Sequence, residues 1–282
     1  MPGASVVLHR LGVEAPSQIT SPSFHLSQVA MSSLRSLLAA VLLGASLSLA
    51  EGTGDVRNLA TTWEKRQESI AGRMQLRILP LGASIVYGMT SPDGNGFRYA
   101  LRNQLVADGN LVDMIGSVRS GTMLDNDVEG WPGYTIDQVA TKASLSIPLQ
   151  PNLVLLHAGT NDCIQDLDIA NAANRLGTLI NTLFSSIPGV TVIASTLLPN
   201  VNHDVCVQSV NSMIPAVIAA LQAQGKKALY VDFHSMYFST DDIGTDGTHP
   251  TEAGYQKMAA VWYQGIQNAS AAGWITAPAT VA

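Results

Sequence analysis

Five short apolar runs recur along the chain and limit what it can fold into: Leu76–Leu81, Leu111–Ile115, Leu153–His157, Val190–Ser195 and Ala228–Phe233. Each is too short for a core helix and nearly continuous in hydrophobicity, the pattern of a strand buried on both faces. Between them lie stretches with helical spacing. Ile169, Ala173, Leu176, Ile180 and Leu183 mark one apolar face, and Tyr255, Met258, Trp262 and Ile266 mark another. Strands that alternate with amphipathic helices build βαβ units and a parallel sheet covered on both sides. One α/β domain over residues 76–270 is therefore expected, with 51–75 as a lead-in and 271–282 as a tail. Neither an internal repeat nor a low-complexity block interrupts it.

Composition narrows the function. The chain has 282 residues, of which 46% are hydrophobic and 13% charged, so it can bury a normal core and is not a disordered polyampholyte. Fifteen Lys and Arg against 21 Asp and Glu leave no basic excess to neutralise phosphates, which argues against a nucleic-acid partner and suits a neutral substrate. His203 and His234 lack companions at metal-ligand spacing, so no metal is assigned. His157, at the end of an apolar strand, reads as a packed or supporting histidine.

Chemistry in such sheets collects at the carboxyl ends of the strands. The first run is followed by Gly82-Ala83-Ser84, the second, after a long excursion, by Glu129-Gly130-Trp131-Pro132-Gly133-Tyr134. The third leads into Gly159-Thr160-Asn161-Asp162, and the fifth is followed by Asp246-Gly247-Thr248-His249-Pro250. Singly these have ordinary explanations: Ser84 as a helix cap, Asn161 as a turn residue, Asp246 and His249 as caps of the last helix, with Pro250 in its first turn. Together they fill the roles of acyl transfer. Asp246, three residues before His249 across a tight loop, can orient the imidazole so that it activates Ser84. The backbone N–H groups of Ser84 and Gly133, with the Asn161 amide, can stabilise an oxyanion. Trp131, Tyr134 and Asn200 are candidates to line the crevice, along with His203 and Asp204. Asp162 is expected to organise the Asn161 loop.

The four segments, in this order, resemble the SGNH (GDSL) hydrolases, a superfamily of esterases and lipases. The spelling LRILPLGASIVYG, VDMIGS, EGWPGYTID, LLHAGTND and DGTHPTEAGY is similar to carbohydrate esterase family three, the acetylxylan esterases. The resemblance covers about Leu76 to Gln267. It implies a flavodoxin-like three-layer α/β/α sandwich with a parallel five-stranded sheet, and no cofactor. It also implies Ser84 as nucleophile, His249 as base and Asp246 as its orienting acid, with an oxyanion hole from Ser84, Gly133 and Asn161. The first block departs from the family, since Ala83 stands where Asp is usual and Val86 where Thr is usual. The nucleophile, base and acid survive, while Ala83 cannot make the loop-holding hydrogen bonds of a carboxylate. Expected substrates are acetylated polysaccharide such as xylan, or small esters, acted on by a monomer. A short-chain lipase or general carboxylesterase is the near alternative. A catalytically weakened carbohydrate-binding protein is the distant one.

The first fifty residues read differently. Leu37–Ala50 is uncharged and apolar, follows Arg35 and ends in Ser48-Leu49-Ala50, which together form a secretory signal peptide over residues 31–50. The run is shorter than the ~20 residues that span a bilayer. Met31 would open that signal, making 1–30 an upstream extension expected to be disordered. Export to an oxidising compartment favours a disulfide between Cys163 and Cys206. Asn268-Ala269-Ser270 is a glycosylation acceptor sequence.

Overall fold

The computed structural model describes residues 69–281. The expected upstream extension over 1–30, the expected signal peptide over 31–50 and all but the last residues of the expected lead-in lie outside the described residues.

All five apolar runs form strands. They are β1 (Leu76–Gly82), β2 (Val112–Met114), β5 (Leu153–His157), β6 (Thr191–Ser195) and β7 (Ala228–Val231). They pair in parallel in the order β2-β1-β5-β6-β7. Alternate side chains serve opposite faces. Leu76, Ile78, Leu153, Leu155 and Ile193 join one core, while Leu79, Leu81, Val154, Leu156 and Val192 join the other. This two-sided burial explains the near-continuous hydrophobicity of the runs.

Two further strands were not anticipated from hydrophobicity. β3 (Val118–Arg119) and β4 (Asp127–Gly130) form an antiparallel ribbon. β2 pairs with Leu76–Ile78, and β4 pairs in parallel with Leu81 and Gly82 at the carboxyl end of the same strand. The sheet is thus mixed, seven-stranded and mostly parallel. The ribbon's sequence carries Arg119, Asp127 and Glu129, which hides it from a search for apolar runs.

Helices cover both faces. α1 (Ser84–Tyr87) is a single turn after β1, and α2 (Phe97–Ala107) packs beside α7 (Glu252–Ala271) on one face. α3 (Ile136–Ser146), α5 (Ala172–Ser186) and α6 (Asp204–Ala223) cover the other, and α4 (Thr160–Ile164) is a short turn after β5. Both expected apolar stripes face the core: Leu176, Ile180 and Leu183 on α5, and Tyr255, Met258, Trp262 and Ile266 on α7, are fully or almost fully buried. α7 starts at Glu252, two residues later than a proline in its first turn would require. Thr251 is the cap, its hydroxyl accepting from the Gly254 N–H at 3.1 Å, and Pro250 lies outside the helix.

The guanidinium of Arg98 is wholly buried and donates to the carbonyls of Tyr87, Gly94, Ser120 and Asn126, joining α2 to the turn beyond Ser84 and to the β3–β4 ribbon. Burial pulls its pKa down to about 10, still protonated at neutral pH. Cys163 and Cys206 are disulfide-bonded, tying α4 to the first turn of α6 across a sequence separation of 43.

Candidate active site

The strand order reverses direction between β1 and β5, so their carboxyl ends open a crevice at the switch point. Ser84 lies there at the start of α1, with Asn161 in the first turn of α4. The approach of the two strands is close: a Cβ on Gly82 would lie 2.1 Å from the His157 carbonyl oxygen, so only glycine fits before the Ser84 turn. The turn is held by its own backbone. Tyr87 N–H donates to the Ala83 carbonyl at 3.0 Å, and Met89 N–H to the Ser84 carbonyl at 3.0 Å. These bonds run between main-chain groups and need no side chain at position 83, where Ala83 is buried at 7% exposure.

The loop before α7 supplies the facing groups. Ile243 and Pro250 pair as an antiparallel bridge, and Gly244 N–H donates to the His249 carbonyl at 2.7 Å, pinching residues 244–249 into a tight loop. One Asp246 oxygen accepts from the Thr248 and His249 N–H groups at 3.0 and 2.9 Å. The other lies 2.6 Å from His249 Nδ1, and His249 Nε2 lies 2.8 Å from Ser84 Oγ. Partial burial pushes the Asp246 carboxyl up, but the bonds from His249 and Thr248 outweigh it and hold it below the ordinary carboxylate value. An ionised Asp246 keeps the proton on Nδ1, leaving Nε2 to accept from the serine hydroxyl.

Across a cleft of about 240 Å³ from His249 stand Pro132, Gly133, Asn161 and Ile164. Gly133 has φ +82°, a left-handed conformation, and a Cβ there would meet nothing, so backbone conformation alone selects glycine. Among the described residues, neither its N–H nor that of Ser84 has an acceptor. The Asn161 amide donates one N–H to the Tyr134 carbonyl at 2.9 Å, which fixes its plane and leaves its second N–H to donate. Three donors therefore share one cleft with the serine hydroxyl, the arrangement a tetrahedral oxyanion needs.

The donor side is braced from outside the cleft. Asp162, wholly buried, accepts from the Ile136 N–H at 3.0 Å and from Arg175 Nη1 at 2.6 Å. Burial raises its carboxyl pKa against the pull of these two partners. Glu129 is also wholly buried and, among the described residues, has no cationic partner. It accepts from the Ser117 N–H and hydroxyl, the Ser146 hydroxyl and the Trp131 indole N–H. Trp131 in turn stacks on Tyr134 at 5.6 Å between ring centroids and lies under the Lys142 ammonium at 4.1 Å. Trp131 and Tyr134 thus brace the Gly133 turn and are not among the residues lining the Ser84 cleft.

Asn200 is likewise buried. Its amide donates to the Thr248 hydroxyl at 3.0 Å and its carbonyl accepts from the Asn202 and His203 N–H groups, so it supports the Asp246–His249 loop from behind. His157 is buried against Phe233 with Nδ1 2.8 Å from the Ser195 hydroxyl, and burial lowers its pKa to about 4. His234 pairs with Asp204 at 2.9 Å, and His203 occupies the position before the first turn of α6 without a side-chain capping bond. Among the described residues no cluster of three or more His, Cys, Asp or Glu could hold a metal ion. Asn268 is exposed near the end of α7. Arg175, Pro132, Met89 and Ile164 were not singled out in the sequence. Ile164 could have been, standing one helical turn after Asn161; Arg175 gave no local signal.

The model of the GDSL-like lipase/acylhydrolase family matches residues 81–257, from the end of β1 into α7. The chain belongs to that family. It is 30% identical to a family 3 carbohydrate esterase of Clostridium thermocellum, with a TM-score of 0.64, over 70% of this chain and 98% of that structure. A carbohydrate esterase family 3 structure from Talaromyces cellulolyticus shares the fold at 22% identity and a TM-score of 0.62, over 70% of this chain and 99% of its own. A multidomain esterase of Ruminococcus flavefaciens is 27% identical over 80% of this chain, which spans only 32% of that relative's length. This GDSL-type hydrolase is accordingly an esterase related to carbohydrate esterase family 3.

Proposed function

We propose that this esterase is secreted and removes O-acetyl groups from a polysaccharide such as xylan by a serine mechanism. The observation that carries the reading is the unbroken line from Asp246 through His249 to Ser84, at 2.6 and 2.8 Å, on a cleft shared with Gly133 and Asn161. Ser84 Oγ attacks the ester carbonyl while His249 Nε2 takes its proton. The oxyanion is held by the N–H groups of Ser84 and Gly133 and by the Asn161 amide. The protonated His249, stabilised by Asp246, then returns the proton to the leaving alcohol. Water enters along the same path and frees acetate from the acyl-enzyme.

The sugar reading is supported by likeness to carbohydrate esterases of family 3, and the acetyl reading by the small size of the cleft. Secretion is supported by the signal-like residues 31–50 and by a disulfide, a bond that persists in oxidising compartments. The test is acetate release from acetylated xylan by the full chain and by Ser84→Ala. Release by the first and not the second is expected. No release by folded wild type from acetylated xylan, with hydrolysis of simple esters retained, would refute the polysaccharide substrate. No hydrolysis of either would refute the mechanism.

A further inference from the structure

We infer that Ile164 sets the acyl-chain length this esterase accepts, acting as a partition between the Ser84 cleft and a second, larger hollow. The inference rests on the reading of Ser84 as nucleophile. Ile164 ends α4, three residues beyond Asn161, and lines two concavities at once. One is the cleft of about 240 Å³ at Ser84. The other, of about 640 Å³, has an apolar side made of Ile164, Ile169, Val201, Val205 and the Cys163–Cys206 disulfide, and a polar side made of Asp166, Asn202, His203, Asp204 and Ser209. Neither the second hollow nor Ile164 has a part in the chemistry described above.

Geometry at the reacting carbon decides which half of the ester points to Ile164. The leaving oxygen must face His249 Nε2, which returns its proton, and the oxyanion must face Gly133 and Asn161. Met89 belongs to the His249 side: the neighbouring Thr90 hydroxyl donates to the Pro250 carbonyl at 3.0 Å, and the Tyr255 hydroxyl donates to the Met89 carbonyl at 2.6 Å. Ile164 belongs to the opposite, Asn161 side. The acyl substituent takes the remaining direction at that carbon, away from leaving group and oxyanion alike, and the lining residues left to meet it are Pro132 and Ile164. An acetyl methyl ends short of the Ile164 side chain, and a longer chain collides with it. With Ile164 cut back, the chain would enter the second hollow along its Ile169, Val201 and disulfide side, and burial of its methylenes there would favour binding. The disulfide keeps the partition from yielding, because it ties the residue beside Ile164 to α6.

The experiment compares kcat/KM for p-nitrophenyl acetate, butyrate and hexanoate in wild type, Ile164→Ala, Ile164→Val and Ile164→Phe, with Ser84→Ala as control. Wild type is expected to favour acetate. Ile164→Ala should raise the hexanoate-to-acetate ratio at least about ten-fold, the scale of methylene discrimination in apolar pockets, whatever the change in acetate activity itself. Ile164→Val should shift it less in the same direction, and Ile164→Phe should lower the butyrate-to-acetate ratio. Since Ile164 is 40% exposed, the truncation leaves the core intact, and the valine variant carries the test if alanine impairs folding. Ser84-dependent hydrolysis with unchanged chain-length ratios would overturn the partition alone. Absence of Ser84-dependent hydrolysis in wild type would overturn the parent reading and this one with it.

Discussion

The two sides of the cleft are built in opposite ways. Asp246 and His249 sit in one loop, closed by the Ile243–Pro250 bridge and by hydrogen bonds among residues 244–249. The donor side gathers Ser84, Gly133 and Asn161 from three strand ends, and its braces come from farther away. Asp162 is held by Arg175 on α5, Trp131 by Glu129 on β4, and α4 by a disulfide to α6. A local loop delivers the proton-handling pair as a unit. A distributed assembly delivers the electrostatics, so its precision depends on the whole three-layer sandwich.

That contrast sets an order of expected effects. On the local side, Asp246→Asn should cost about 10⁴-fold in kcat, because the amide would favour the wrong imidazole tautomer, while the fold and KM stay close to wild type. On the distributed side, Asn161→Ala should cost about 10²-fold, the usual loss for one oxyanion donor, read as kcat on p-nitrophenyl acetate. If Asn161→Ala proved as damaging as Asp246→Asn, the assignment of three parallel donors would be wrong.

The braces should register in stability before they register in rate. Arg175→Met leaves Asp162 buried with the Ile136 N–H as its remaining partner outside its own loop, and breaking such pairs typically costs about 3–5 kcal/mol. A chemical melt should show this loss together with a smaller fall in kcat, of order ten-fold. An unaffected melting transition would mean that α4 is held by other contacts. Reduction of the Cys163–Cys206 bond should lower stability by up to ~4 kcal/mol on the chain-entropy account and leave the Asp246–His249 loop untouched.

A last effect concerns His157, which belongs to neither side and changes stability without touching the site. Its folded pKa of about 4 lies below the ordinary 6.5, so the unfolded chain binds the extra proton between those values. Stability is then complete above about pH 6.5 and falls as the pH drops toward 4, by roughly 3 kcal/mol. The melting temperature against pH should carry this slope in wild type and lose it in His157→Asn. A wild-type profile flat from pH 6.5 to 4 would show that the imidazole is not held neutral by burial.

The same contrast explains what could be read from sequence. The five parallel strands were legible because burial on both faces demands continuous apolar runs. Asp246 and His249 were legible because three residues of spacing suffice to join them. The β3–β4 ribbon was not, since short strands with Arg119, Asp127 and Glu129 carry no apolar run. Trp131 and Tyr134 read as possible cleft walls because an aromatic beside a glycine turn says nothing of its direction. Both turn to brace Gly133, and Asn200 turns inward to Thr248. The role of Arg175 depends on a pairing between elements that no local pattern encodes.

The central claim is that Ser84 is an activated nucleophile. It is tested most directly by treating the folded chain with a serine-directed fluorophosphonate and mapping the adduct by peptide mass. The account expects one adduct, on Ser84, formed quickly in wild type and at a rate reduced by orders of magnitude in His249→Ala. A folded protein that stays unlabelled, or is labelled at another serine, would contradict it.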